Sequence, residues 1–250
     1  KEAHIGIAMG IRGTDVAKET ASMILTDDNF ATIETAVKEG RKLFGNLRKG
    51  VRYYLACKVA LVSVFLAPII LGIPLPFAPI QIIVLELFMD LAASATFVAE
   101  PEEQDVMNKP PNDPQEKFMN KKMLNSIALG ALSLFIAVSA TFLFVWYQTQ
   151  SIPYARTITF ATWMFGHIFL ALNFRSEREP LIKEGLLSNK VMLLWAMLVS
   201  VTLIVGTLLP PVQAALQITS LHLGDWPLII AVSFAATFWM ELEKILRKST

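Results

Sequence analysis

Charged residues are scarce in this sequence, and cysteine is almost absent. Only 17% of the 250 residues are Asp, Glu, Lys or Arg, compared with about 25% in soluble globular domains. The single cysteine, Cys57, excludes an intrachain disulfide and provides no metal-site motif by spacing. No Ser-His-Asp triad is evident. With a net charge of +1 and no basic patch interleaved with aromatic residues, no nucleic-acid partner is expected.

Apolar residues dominate instead, at 54% of the chain with a mean hydropathy of +0.51. They form runs of about 18 residues or more, a length that can cross a hydrocarbon core of about 30 Å. The pattern therefore predicts a mainly α-helical, multi-pass integral membrane protein with a bundle of six transmembrane helices. The predicted spans are Val51–Ile73, Pro79–Ala99, Met123–Tyr147, Ile158–Asn173, Val191–Leu209 and Trp226–Met240.

The distribution of Lys and Arg predicts the orientation of these spans. Apart from Lys58 and Arg156, the basic residues fall within or at the edges of four segments: the N-terminal segment, Pro101–Lys122, Arg175–Lys190 and the C-terminal tail. Alternating spans place these four segments on one face of the membrane. Because basic residues concentrate on the cytoplasmic side, both termini are expected to be cytosolic.

The first fifty residues have a different character. The apolar run His4–Gly10 and the shorter Met23–Leu25 are typical of buried parallel strands, and a helical segment separates them. A helical pattern then continues from about Phe30 to Ala67, into the first span. We therefore predict a small α/β remnant of a larger domain at 1–30, a stalk helix at 31–50, the transmembrane domain at 51–241 and a tail at 242–250.

Two carboxylates lie inside the second predicted span. Glu86 and Asp90 are four residues apart, hence on one face of a helix. Placing an ionisable group at this depth costs free energy, and such groups are usually functional. Two adjacent carboxylates also require a proton, a metal ion or a basic partner. Lys58 in the first span can supply that partner. The alternatives are that Lys58 extends to the cytosolic interface, or that the three form a salt bridge that only fixes helix positions.

In order along the chain, several segments resemble the C-terminal half of a P-type cation-transporting ATPase of P2-like type. Residues 1–10, 13–18 and 25–30 resemble the end of the HAD-like phosphorylation domain of that family. Glu39–Arg41 and Arg52–Tyr53 resemble its stalk and fifth membrane helix. The sixth helix and the loop after it are matched by Pro79–Asp90, Asp105–Met107 and Pro110–Pro111.

The resemblance implies that the six spans are the fifth to tenth helices of an ATP-driven pump. The family phosphorylates an aspartate in a D-K-T-G-T motif and binds magnesium through G-D-G-x-N-D. Both motifs, with the ATP-binding domain and four more helices, would lie in an upstream half that acts as a partner. This stretch contains neither motif, so its own enzymatic activity is left open.

The resemblance also bears on the transported cation. Calcium pumps of this family have an asparagine and a glutamate where Lys58 and Leu61 stand. In the next helix they have asparagine and threonine at the positions of Glu86 and Met89, and an aspartate that matches Asp90. Calcium prefers 6–8 oxygen ligands, and the Glu–Asp pair is more like that of the sodium/potassium and proton/potassium pumps. We therefore expect a cation-translocation site of Glu86, Asp90 and Lys58 that favours a proton or monovalent cation over calcium. If the ion is a metal, Glu86 and Asp90 are its expected ligands.

One alternative is a non-enzymatic, truncated or split membrane module that binds a partner half. A channel or half of a secondary transporter is a weaker alternative, because no internal repeat is evident. The cell membrane is the expected location.

Overall fold

The computed structural model describes residues 4–103, 106–108, 110–111, 117–176 and 179–248. Residues 1–3 of the first resembling segment, and Asp105 of the later one, lie outside the described residues. The chain forms two compact units, one of residues 1–45 with 102–111 and the other of residues 46–101 with 112–250.

The first unit contains the predicted strand–helix–strand segment. Strands β1 (Ile7–Met9) and β2 (Met23–Leu25) pair in parallel, with Ala8 opposite Ile24. Helix α1 (Asp15–Thr20) connects them and begins at Thr14, whose hydroxyl accepts a hydrogen bond from the Ala17 amide. The strand–helix–strand order predicted from the sequence is confirmed.

A turn-forming carboxylate fixes the loop after β1. Asp28, at a left-handed φ of 51°, accepts hydrogen bonds from the backbone amides of Ile11 and Arg12, each at 2.8 Å. These amide donors, Ile11 above all, lower the pKa of the Asp28 carboxyl from its ordinary value. A carboxylate that accepts backbone N–H bonds is stabilised in its charged form.

Gly13 occupies a position with no room for a side chain. Its amide donates to the Met9 carbonyl at 3.0 Å, and a Cβ at this position would meet the same oxygen at 2.1 Å. Gly13→Ala is therefore expected to destabilise the first unit by about 1–3 kcal/mol. Faster hydrogen–deuterium exchange across β1 and β2 would report it.

The control for this prediction is Gly40→Ala, since a Cβ at this helical position meets no atom within 4 Å apart from its chain neighbours and the adjacent helix backbone. Alanine there should stabilise the helix by up to about 1 kcal/mol. Equal exchange in the two variants would contradict the close approach at Gly13.

The second unit is a bundle of long helices, and the predicted helical membrane fold is confirmed. Four helices of the described part are long and apolar enough to cross a membrane. They are α2 (Ala31–Leu71), which belongs to this unit from Asn46 onward, the helical segment Pro79–Ala99, α5 (Lys121–Thr149) and α8 (Lys190–Leu208).

The fourth and sixth predicted spans correspond to α6 (Ile152–Asn173) and α10 (Asp225–Lys248). Both are helices but do not belong to that group of four. Helix α6 packs against α5 and α10, and most of its side chains, including Trp163, are buried. Burial among helices explains how a less apolar segment is accommodated, because its polar groups find partners in the protein. Short helices α7 (Leu181–Glu184) and α9 (Pro210–Leu216) lie in the connections.

The segment Pro79–Ala99 is not a uniform α-helix. It begins as α3 (Pro79–Val84), becomes a π-helix over Leu85–Leu91, and ends as α4 (Ala92–Thr96) and a 3₁₀ turn over Phe97–Ala99. π-Helical turns are rare and occur frequently at functional sites. The two carboxylates singled out from the sequence lie within this π-helix.

A candidate cation site between the first, second and fourth predicted spans

The π-helix Leu85–Leu91 is supported by side chains from other helices. The Trp195 indole donates to the Phe88 carbonyl at 2.8 Å, and the Tyr53 hydroxyl donates to the Met89 carbonyl at 3.2 Å. Such donors satisfy backbone groups where helical hydrogen bonding is irregular at membrane depth. The π-helix is therefore held by α2 and α8, and its geometry depends on tertiary packing.

Lys58, Glu86 and Asp90 lie together, as the sequence predicted. The Lys58 ammonium contacts the Glu86 carboxylate directly and lies 2.9 Å from Oδ2 of Asp90. The Asp90 side chain is 1% exposed, whereas those of Lys58 and Glu86 are 22% and 39% exposed in this chain. One ammonium therefore faces two carboxylates, which leaves the trio with one net negative charge when all three are ionised.

His167 of α6 lies on the other side of Asp90. Its Nδ1 is 3.5 Å from Oδ1 of Asp90 and 3.2 Å from the Tyr53 hydroxyl, and its ring packs against Trp163. His167 was not among the site residues expected from the sequence. Its contact with Asp90 was missed, because 77 positions separate the two residues and no local spacing relates them.

Two further carboxylates, Glu100 and Glu241, lie near the ends of predicted spans and accept hydrogen bonds from other parts of the chain. Glu100 is 2% exposed and accepts hydrogen bonds from Arg175 Nε at 2.8 Å and Asn189 Nδ2 at 2.7 Å. Glu241 is also buried and accepts from the Leu181 amide at 2.8 Å. Folding of the loops between helices covers both carboxylates and supplies their donors.

Arg175 extends the network around Glu100. Besides its ion pair with Glu100, Arg175 donates to the carbonyls of Gly185 and Leu186 and to the Ser188 hydroxyl. Asn189 Nδ2 also donates to the Thr96 carbonyl, and its side-chain oxygen accepts from the Met192 amide as the N-cap of α8. This buried network joins the end of the Pro79–Ala99 segment to the start of α8.

Comparison with known proteins places this geometry in a family context. Residues 74–246 match the family model described as "Cation transporting ATPase, C-terminus". The chain is 36% identical over 99% of its length to a calcium-transporting ATPase of Bacillus subtilis (strain 168), of which it covers 28%. It is 35% identical to calcium-transporting ATPase 1 of Yarrowia lipolytica and 32% identical to the human calcium-transporting ATPase type 2C member 1. In both cases the match covers all of this chain and 27% of the relative.

The chain thus spans under a third of the length of the curated relatives it matches. The family match covers more than half of the chain and includes the π-helix with Glu86 and Asp90 as well as His167. It confirms the resemblance drawn from the motifs. The chain belongs to the cation-transporting P-type ATPase family, and it corresponds to the C-terminal part of these proteins.

Proposed function

We propose that this chain is the C-terminal membrane part of an ATP-driven cation pump, and that Lys58, Glu86 and Asp90 form part of its translocation site. The observation that carries the proposal is the contact of one ammonium with two carboxylates on a π-helix. Ionisable groups at membrane depth mark ion pathways, and Asp90 is almost fully buried.

The exposed parts of Lys58 and Glu86 support an upstream half as the partner. A charged side chain facing lipid near the bilayer centre costs about 2.5–3.5 kcal/mol on insertion scales. Further protein that covers these two side chains would remove that penalty. In the proposed pump the upstream part supplies this cover, together with the residues that use ATP and Mg²⁺. Both termini of this chain face the cytosol, and the cell membrane is the proposed location.

We propose a proton or a monovalent cation as the transported ion. The Lys58 ammonium contributes positive charge and no oxygen donor, whereas calcium requires 6–8 oxygen ligands. A divalent ion at Glu86 and Asp90 would have to displace the ammonium from both carboxylates. A proton or monovalent ion adds less positive charge beside Lys58 and so meets less repulsion.

Calcium is the second candidate, and the names of the relatives favour it. The matched proteins of Bacillus subtilis, Yarrowia lipolytica and human are all called calcium-transporting ATPases. These names do not support the preference for a proton or monovalent ion, which depends on the contacts of Lys58 alone.

ATPase activity of the complete protein in proteoliposomes separates the two candidates. Activity is measured against calcium, sodium, potassium and pH for the native protein and for Lys58→Gln. We expect native turnover without added calcium, and a higher calcium affinity in Lys58→Gln, since the change removes an ammonium and adds an oxygen donor. Lys42→Gln, which removes a lysine paired with Glu39 on the same helix, is the matched control. A strict calcium requirement in the native protein would establish the calcium candidate.

A further inference from the structure

Three potential metal ligands from three different helical segments meet beside the ion pair. They are Cys57 of α2, Asp90 of the π-helix and His167 of α6, and all three are buried. One ligand atom from each side chain lies within 4.8 Å of the other two. A thiolate, a carboxylate and an imidazole are the donors typical of zinc sites, where ligand distances are about 2.0–2.3 Å. Small side-chain movements would bring all three onto one ion.

The two oxygens of Asp90 face different partners. Oδ2 faces the Lys58 ammonium at 2.9 Å, whereas Oδ1 faces His167 Nδ1 at 3.5 Å. Within the described part of the chain, the buried Oδ1 makes no hydrogen bond. Buried polar atoms of this kind require an explanation, of which a bound ion is one. Oδ1 can therefore bind a cation on the His167 side while Oδ2 keeps its contact with Lys58.

We infer that Cys57, Asp90 and His167 form a binding site for a borderline-to-soft divalent cation of the zinc and cadmium class. Hard cations such as Mg²⁺ and Ca²⁺ prefer an all-oxygen set, which a thiolate and an imidazole do not provide. On binding, the Cys57 thiol gives up its proton to solvent and its sulfur bonds to the metal. Two anionic ligands then balance the charge of the ion, and Lys58 remains balanced by Glu86.

The inference is based on these contacts and does not depend on the proposed pump function. It shares Asp90 with the proposed translocation site, so an ion held there would block that carboxylate. The Tyr53 hydroxyl, now near His167 Nδ1, can keep its bond to the Met89 carbonyl when the imidazole binds metal.

Cadmium binding to the purified protein that carries this chain tests the inference without ATP. The readout is the ultraviolet thiolate-to-cadmium charge-transfer band during titration with Cd²⁺, followed by competition with Zn²⁺, Mg²⁺ and Ca²⁺. We expect a saturable band that Zn²⁺ removes and that Mg²⁺ and Ca²⁺ leave in place. Cys57→Ser should abolish this band. His167→Gln should weaken cadmium binding by at least about tenfold, the lower range for disturbing a metal site.

His222→Gln is the matched control, because His222 is exposed in the loop before α10. It should bind cadmium like the native protein. Size-exclusion chromatography and thermal unfolding verify that each variant is folded, and Cys57→Ala replaces any misfolded serine variant. A band of native strength in the Cys57 variant, or equal affinities for the two histidine variants, would overturn the site. Because no turnover is measured, failure of the proposed pump function leaves this result unaffected.

Discussion

Asp90→Asn is expected to reduce the cation-dependent ATP turnover of the complete pump to background. The substitution keeps the shape of the side chain but removes the negative charge that faces both Lys58 and His167. Asp90 is the most buried member of the ion-paired trio, so water cannot take over its role. ATPase activity and ion flux in proteoliposomes, each with and without the transported cation, measure the effect.

His167→Asn is the comparison for this experiment. It removes an imidazole from the same cluster but leaves the three charges of Lys58, Glu86 and Asp90 in place. Its turnover should therefore stay much closer to the native value. Equal activities of the Asp90 and His167 variants would remove Asp90 from the translocation site.

Glu100→Ala is expected to lower the free energy of unfolding by about 3–5 kcal/mol, the range measured when one partner of a buried ion pair is removed. Arg175 is 1% exposed and would keep its carbonyl partners but lose its counter-charge. Asn189 would lose its carboxylate acceptor at the same time. Unfolding of the detergent-solubilised protein by heat or denaturant gives the difference.

The control for Glu100 lies two residues away. Glu102 forms a 2.8 Å ion pair with Lys38 in which both side chains are 41% exposed. Exposed pairs contribute about 0–1 kcal/mol, so Glu102→Ala should change stability little. The double variant Glu100→Met with Arg175→Met should recover much of the lost stability, because no buried charge remains unpaired. Equal losses for Glu100→Ala and Glu102→Ala would contradict the structural importance of the buried network.

Much of the candidate site could be predicted from the sequence. Glu86 and Asp90 stood out because carboxylates are rare in apolar spans, and their spacing of four placed them on one face of a helix. Lys58 was matched to them by charge and depth. The structure brings these three together, while their role in transport stays a proposal.

The remaining features depend on which helices become neighbours. In the sequence Cys57 is a single thiol and His167 has no local relation to Asp90. Only the packing of α2 and α6 brings both to Asp90. The π-helix could not be predicted from the sequence either, since two of its carbonyls accept hydrogen bonds from Tyr53 and Trp195 of other helices.

By itself, the sequence determined that this protein is a helical membrane bundle with a small parallel α/β segment at its start. Apolar length and helical hydrogen bonding are local properties, because in lipid each spanning segment must satisfy its own backbone. Only the tertiary structure decided the partners of buried polar groups, such as Glu100 with Arg175 and Asp90 with His167. Those pairings join residues that are far apart in the chain. A buried charge needs a partner because burial removes it from water, and the partner is set only when the helices pack.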